Sequence, residues 1–193
     1  MAVKGWRVFC AVDLSEEVRA RAAGHAAELR RAFPEARASW ERPEKLHVTL
    51  KFLGEVEPAR VADLSQAAGR AASVVSPFEL AIGGAGAFPP RGAPRVLWLG
   101  VADASGGLAR LHGRLEDECE AEGFARERRP FSPHLTIARL RDPRTSGPLA
   151  AAHAAAGFAD VAFNVSELRV VRSLLEPAGS RYVTVSTHPF PAG

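Results

Sequence analysis

Several residue types are scarce in this 193-residue chain, and each scarcity excludes something. Two cysteines, Cys10 and Cys119, can neither staple a disulfide framework nor supply a metal set, so a reducing, cytoplasmic setting is the expectation. The sequence has no H-x-H, C-x-x-C or H-E-x-x-H, whereas a metal needs three or four convergent ligands, so neither a metal nor another cofactor is expected. No apolar run approaches the length that crosses a bilayer, and Met1 to Arg7 offers no apolar signal core, so no membrane association is expected. Disorder is excluded as well, because 47% of the residues are hydrophobic and only 24% charged.

Lysine is the remaining shortage. Lys4, Lys45 and Lys51 stand against 22 arginines, and the net charge is +3. Arginine forks onto phosphate and stacks on rings, which favours phosphorylated or nucleic-acid partners. A GC-rich genome, which favours arginine codons, accounts for the excess equally well, so charge alone decides nothing.

Periodicity and breakers predict the elements. Arg7 to Asp13 reads as a strand, and Ser15 with Glu16 and Glu17 opens a helix that Pro34 stops. A strand from Leu46 to Leu53 and a helix from Pro58 to Ala72 follow. Phe78 to Ile82 and Arg95 to Val101 are strands separated by a Gly/Pro-rich loop, and a helix runs from Ser105 to Glu122. The rest is a strand from His134 to Leu140, an alanine helix from Leu149 to Ala156, and strands from Val161 to Leu174 and from Arg181 to Thr187. This order predicts an α+β fold with helices on one face of each sheet, and no linker divides residues 1–193, so one two-lobed domain is expected.

Two of these strands share a pattern. His47-Val48-Thr49-Leu50 returns 87 positions later as His134-Leu135-Thr136-Ile137. Side chains alternate along a strand, so each segment presents an imidazole and a hydroxyl on one face and buries its apolar residues on the other. Two such strands side by side about a pseudo-twofold would bring both pairs into one groove. There one imidazole can take a proton while the other gives one, and the threonine hydroxyls can donate to oxygens where charge builds. That set suits a phosphodiester.

The chain resembles the two-histidine phosphoesterase superfamily, and within it the RNA 2′,3′-cyclic phosphodiesterases, also called 2′-5′ RNA ligases. Besides the two motifs, the resemblance rests on Arg7 to Val12, Trp40 with Pro43 to Leu46, and Phe52 to Val56. It continues through Gly86 to Pro89, Arg95 to Trp98, Phe131-Ser132-Pro133 and Ala138-Arg139. It implies a bilobal fold of two antiparallel sheets around a central cleft with helices on the outer faces. The implied activity is metal-independent hydrolysis of RNA 3′ ends bearing 2′,3′-cyclic phosphate to 2′-phosphomonoesters, by a protein expected to be a monomer. It also assigns His47 as proton donor, His134 as proton acceptor and Arg139 as phosphate contact. Strand alternation argues differently: Arg139, five residues after His134, should face away unless a bulge intervenes, whereas Lys51, four after His47, has the favourable parity.

Other readings stay open. RNA joining in the same site, a phosphodiesterase for small cyclic nucleotides and a non-catalytic RNA-end-binding module would each use this groove. Phe88 and Phe131, beside prolines, are candidates to line it; Trp40 could stack on a base, and Trp98 belongs to the core. The run Arg126-Glu127-Arg128-Arg129 could track an RNA backbone or form a solvated turn. His25 and His153 are expected to be solvated on their helices and His112 on a helix surface; like His188, they carry no role.

Overall fold

Residues 5–177 and 179–192 are described by a computed structural model, and among them the apolar pattern resolves into nine strands and four α-helices. In chain order these are β1 (Trp6–Val12), α1 (Glu16–Ala32), β2 (Ala38–Trp40), β3 (Val48–Val56), α2 (Val61–Ala72), β4 (Phe78–Phe88) and β5 (Val96–Ala102). Then come α3 (Gly107–Ala121), β6 (His134–Leu140), α4 (Pro143–Ala156), β7 (Val161–Val165), β8 (Glu167–Glu176) and β9 (Gly179–Pro189). The pairings within the two sheets are antiparallel: a four-stranded sheet ordered β3-β1-β8-β9 and a five-stranded sheet ordered β2-β6-β5-β4-β7. This is the expected α+β class, with α2 packed on β8 and β9, and α4 on β4. The motif strands β3 and β6 belong to different sheets and approach each other.

Local signals explain several boundaries. The Ser15 hydroxyl accepts the Val18 N–H at 3.3 Å, while Glu16 and Glu17 at one end of α1 and Arg30 and Arg31 at the other complement its dipole. Core residues anchor the motif strands. Val48 and Leu135 are fully buried, each burial contributing roughly 1.5–3 kcal/mol, and their polar neighbours are thereby turned the other way.

Four expectations are corrected. The stretch from Val161 to Leu174 is two strands, because the chain leaves one sheet at Ser166 and enters the other. The Gly/Pro-rich segment after Ile82 is strand as far as Phe88, and its glycines admit large neighbours: a Cβ at Gly86 would lie 2.3 Å from the Trp98 ring. That ring is half-buried rather than in the core, on the side of the sheet shared with its cross-strand partner Thr136. His153 is not solvated: α4 turns it fully inside, where its Nε2–H donates to the Trp98 carbonyl at 3.0 Å and its Nδ1 accepts from His25 at 2.9 Å.

The decisive local feature is a pair of matched β-bulges. On β3, Thr49 faces Ala11 and Lys51 faces Cys10, leaving Leu50 as the extra residue. On β6, Thr136 faces Trp98 and Ala138 faces Leu97, leaving Ile137. Past each bulge the alternation inverts. Lys51 and Ala138 turn into the interior, while Phe52 and Arg139 turn out.

Candidate active site

His47, Thr49, His134 and Thr136 line one cleft of about 930 Å³, and the bulge on β6 brings Arg139 into it with them. Both rings are held in the same way. His47 Nδ1 lies 2.6 Å from the Lys45 carbonyl and His134 Nδ1 lies 2.9 Å from the Ser132 carbonyl, each two residues upstream. A carbonyl can only accept, so each Nδ1 carries the hydrogen and each Nε2 is left for chemistry. Lys45 and Ser132 are themselves 87 positions apart, so the tether is part of the repeat.

The neighbours of the two rings differ. His47 stacks on Phe9, with centroids 4.7 Å apart and planes at 23°, and meets the Tyr182 ring edge-on at 5.4 Å. Its Nε2 lies 3.0 Å from Thr49 Oγ1. Burial pushes the His47 pKa below its usual value, opposed by the hydrogen bond to Lys45 and by the charge of Asp13. Asp13 also pairs with Arg19, whose Nη1 donates to the Pro43 and Leu46 carbonyls and so pins the turn that delivers His47. His134 instead meets Phe88 edge-on, at 5.2 Å and 81°, and Phe88 leans on Trp98.

The remaining lining is basic and aromatic. Arg7, Arg42, Lys45 and Arg141 join Arg139 around the cleft, with Phe52, Trp40 and Tyr182 among them. Glu41 stands 3.7 Å from Arg139 Nε, and burial raises its carboxyl pKa. Phe52 is 56% exposed and occupies the position in the first repeat that Arg139 occupies in the second. The repeat is therefore symmetric in its imidazoles and hydroxyls and asymmetric one step beyond them.

Three candidates do not line the cleft. Lys51 is not available to a phosphate: only 4% exposed, it donates to Glu116 Oε2 at 2.7 Å and to the Ala125 carbonyl at 2.8 Å on the far side of β3. The bulge at Leu50 inverts the parity that favoured it. Phe131 does not line the cleft either; its ring lies flat on the His112 imidazole, 3.9 Å and 7° apart, covering α3. Phe88 supports the His134 ring from behind rather than lining the cavity. Trp40 does line it, whereas Arg126 and Arg129 are spent on Asp117, Glu120 and Glu127 away from it. Phe9, Tyr182 and Arg19 were missed by sequence reasoning. Nothing local marks them, since each acts on a ring or turn distant in sequence; Phe52 alone was findable, from its place in the repeat.

Among the described residues no group of three or more His, Cys, Asp or Glu side chains is placed to hold a metal ion, and no helix is long and apolar enough to cross a membrane.

Comparison with known proteins agrees with this geometry. A family model of the 2′-5′ RNA ligase superfamily matches residues 14–176. An RNA 2′,3′-cyclic phosphodiesterase of Methanothermobacter thermautotrophicus is 36% identical over 91% of this chain and 94% of its own. One of Geobacillus stearothermophilus is 33% identical over 94% of this chain, which spans 56% of that longer protein. Among solved structures, Escherichia coli LigT complexed with 3′-AMP superposes with a TM-score of 0.76 at 28% identity, covering 96% of this chain and 98% of that one. A protein of Thermus thermophilus reaches 0.80 at 29% identity over the same shares of the two chains. With the motif strands, the cleft and the relatives in agreement, the chain belongs to the 2′-5′ RNA ligase superfamily.

Proposed function

We propose that this protein hydrolyses terminal 2′,3′-cyclic phosphates of RNA to 2′-phosphomonoesters without a metal. The observation that carries the reading is the paired tether: two imidazoles in one cleft, each with Nδ1–H committed to a backbone carbonyl, which makes Nε2 the nitrogen that exchanges a proton. The names and structures of the relatives support the substrate class.

Water attacks phosphorus as Nε2 of neutral His134 takes its proton. The P–O3′ bond breaks, and Nε2–H of protonated His47 delivers a proton to the departing O3′. Arg139 neutralises non-bridging charge, and the hydroxyls of Thr49 and Thr136 donate to it. Thr49 has a second part. While His47 is neutral, the Thr49 hydroxyl donates to Nε2 across their 3.0 Å contact; once His47 is charged, Nε2 no longer accepts, so the hydroxyl turns to the phosphate and Nε2–H is left for O3′. Burial depresses the His47 pKa in the free protein, and a phosphodiester anion beside the ring raises it again, so substrate binding itself loads the acid.

The test is turnover of an oligonucleotide ending in cyclic phosphate, with the position of the product phosphate mapped. His47→Ala and His134→Ala should each lose roughly 100- to 10,000-fold in kcat, with EDTA leaving the wild type unchanged. A 3′-phosphate product, loss of activity on chelation, or an active alanine variant would overturn the reading.

A further inference from the structure

The β2–β6 ladder continues past the cleft in a way that catalysis at the terminus does not require. Ser39 stands opposite Arg139, Ala38 opposite Leu140, and the Arg141 N–H donates to the Arg37 carbonyl at 2.8 Å. In this register Arg37 and Arg141 are directly opposed, on the same side of the sheet as Ser39 and Arg139. Like charges so opposed destabilise a sheet. Among the described residues neither guanidinium has a carboxylate within ion-pair distance.

A second hollow begins there. It shares Ser39 and Arg141 with the cleft and is lined otherwise by Arg37, Ala38, Asp142 and Arg144. Its one acid is already engaged. Asp142 accepts from Arg144 Nε at 3.1 Å and Nη2 at 2.9 Å, and this pairing holds its carboxyl at about 2. The hollow carries Arg37, Arg141 and Arg144 against the single carboxylate of Asp142, on which Arg37 also acts, and so keeps a net positive charge at the cleft mouth. Arg139 and Arg141 are two strand residues apart, roughly 6.6 Å along the strand, so the guanidiniums form a stepped row leading out of the cleft.

We infer that Arg37 and Arg141 form an upstream subsite that binds the phosphodiester backbone of an RNA strand whose 3′ terminus lies in the cleft. The inference rests on the proposed function for the terminus and adds the place where the strand upstream of that terminus is held. Two forked cations facing one groove suit the bridging phosphates of the backbone, contacts that position a strand without reading its sequence.

Binding and turnover separate the two readings. Labelled 3′-phosphorylated RNA, as a dinucleotide and as a decamer, is titrated by anisotropy from about 50 to 200 mM salt. The decamer should bind more tightly than the dinucleotide. The dependence of log K on log salt should flatten by about 0.7 in Arg37→Gln and about 1.4 in Arg37→Gln/Arg141→Gln. In parallel, Arg37→Gln should lower kcat/KM for a cyclic-phosphate decamer severalfold and leave that for a nucleoside 2′,3′-cyclic phosphate, which has no bridging phosphate, unchanged. Equal losses for both substrates, or a salt slope like the wild type, would overturn the subsite while leaving the hydrolytic reading intact. Arginine-dependent decamer binding without any cyclic-phosphate turnover would overturn the hydrolytic reading and keep the subsite.

Discussion

Replacing Lys51 tests the consequence of the bulge on β3 most directly. The Lys51–Glu116 pair is closed at 2.7 Å with both side chains only 3% exposed. At an effective dielectric of 20 the attraction at 2.7 Å is about 6 kcal/mol, much of it offset by the cost of desolvating both charges. Lys51→Met removes one partner and strands the Glu116 carboxylate, whose Oε1 already has no hydrogen-bond partner among the described residues. The expected cost is about 3–5 kcal/mol, which for a domain of this size lowers Tm by roughly 6–20 °C. Lys51→Met/Glu116→Met should recover part of that loss. A deficit of about 1–3 kcal/mol remains for each backbone group left bare: the Ala125 carbonyl that Lys51 satisfied and the Glu127 N–H that Glu116 accepted. Urea and thermal melts of the wild type, Lys51→Met, Glu116→Met and the double variant give the coupling energy. Melting of Lys51→Met at the wild-type temperature, with KM for a cyclic-phosphate RNA raised instead, would refute the reasoning and return Lys51 to the phosphate.

Stability should also fall with acidity. Burial depresses the pKa of His47, His25, His112, His153 and His188 in the folded chain below the ordinary 6.5, so the unfolded chain takes up protons first as pH drops. Tm should decline from about pH 6.5 downward, and a flat or rising Tm across that window would contradict it. Phe88→Leu withdraws the ring edge from His134 and should lower kcat about tenfold with little change in KM, while Phe88→Tyr restores it; equal losses in the two variants would deny Phe88 a positioning role.

How far the sequence could be read depended on where alternation held. Up to Thr49 and Thr136 the period of two was intact, and the four motif side chains and their buried neighbours followed from it. One residue later each strand bulges, and parity assigned Lys51 and Arg139 to the wrong sides. A signal was present: Ile137 and Ala138 are consecutive apolar residues, as a strand with an extra inward residue must show, but the lysine in the first repeat masked the same event. Exchange between sheets left no mark either, because the inward residues of β7 and β8 are equally apolar whichever sheet receives them. Phe88 and Phe131 had the same proline-flanked context, and only tertiary packing sent one to His134 and the other to His112.

Because the orienting acceptors for both imidazoles are main-chain oxygens, no point substitution deletes them, and neither ring carries the carboxylate partner that would stiffen its basicity. Tautomer is thereby fixed by the course of the chain, whereas the burial that depresses the His47 pKa comes in part from replaceable aromatic side chains. Anyone wishing to move the working pH of such a site should redesign Phe9 or Tyr182, which press on the His47 ring and not on His134.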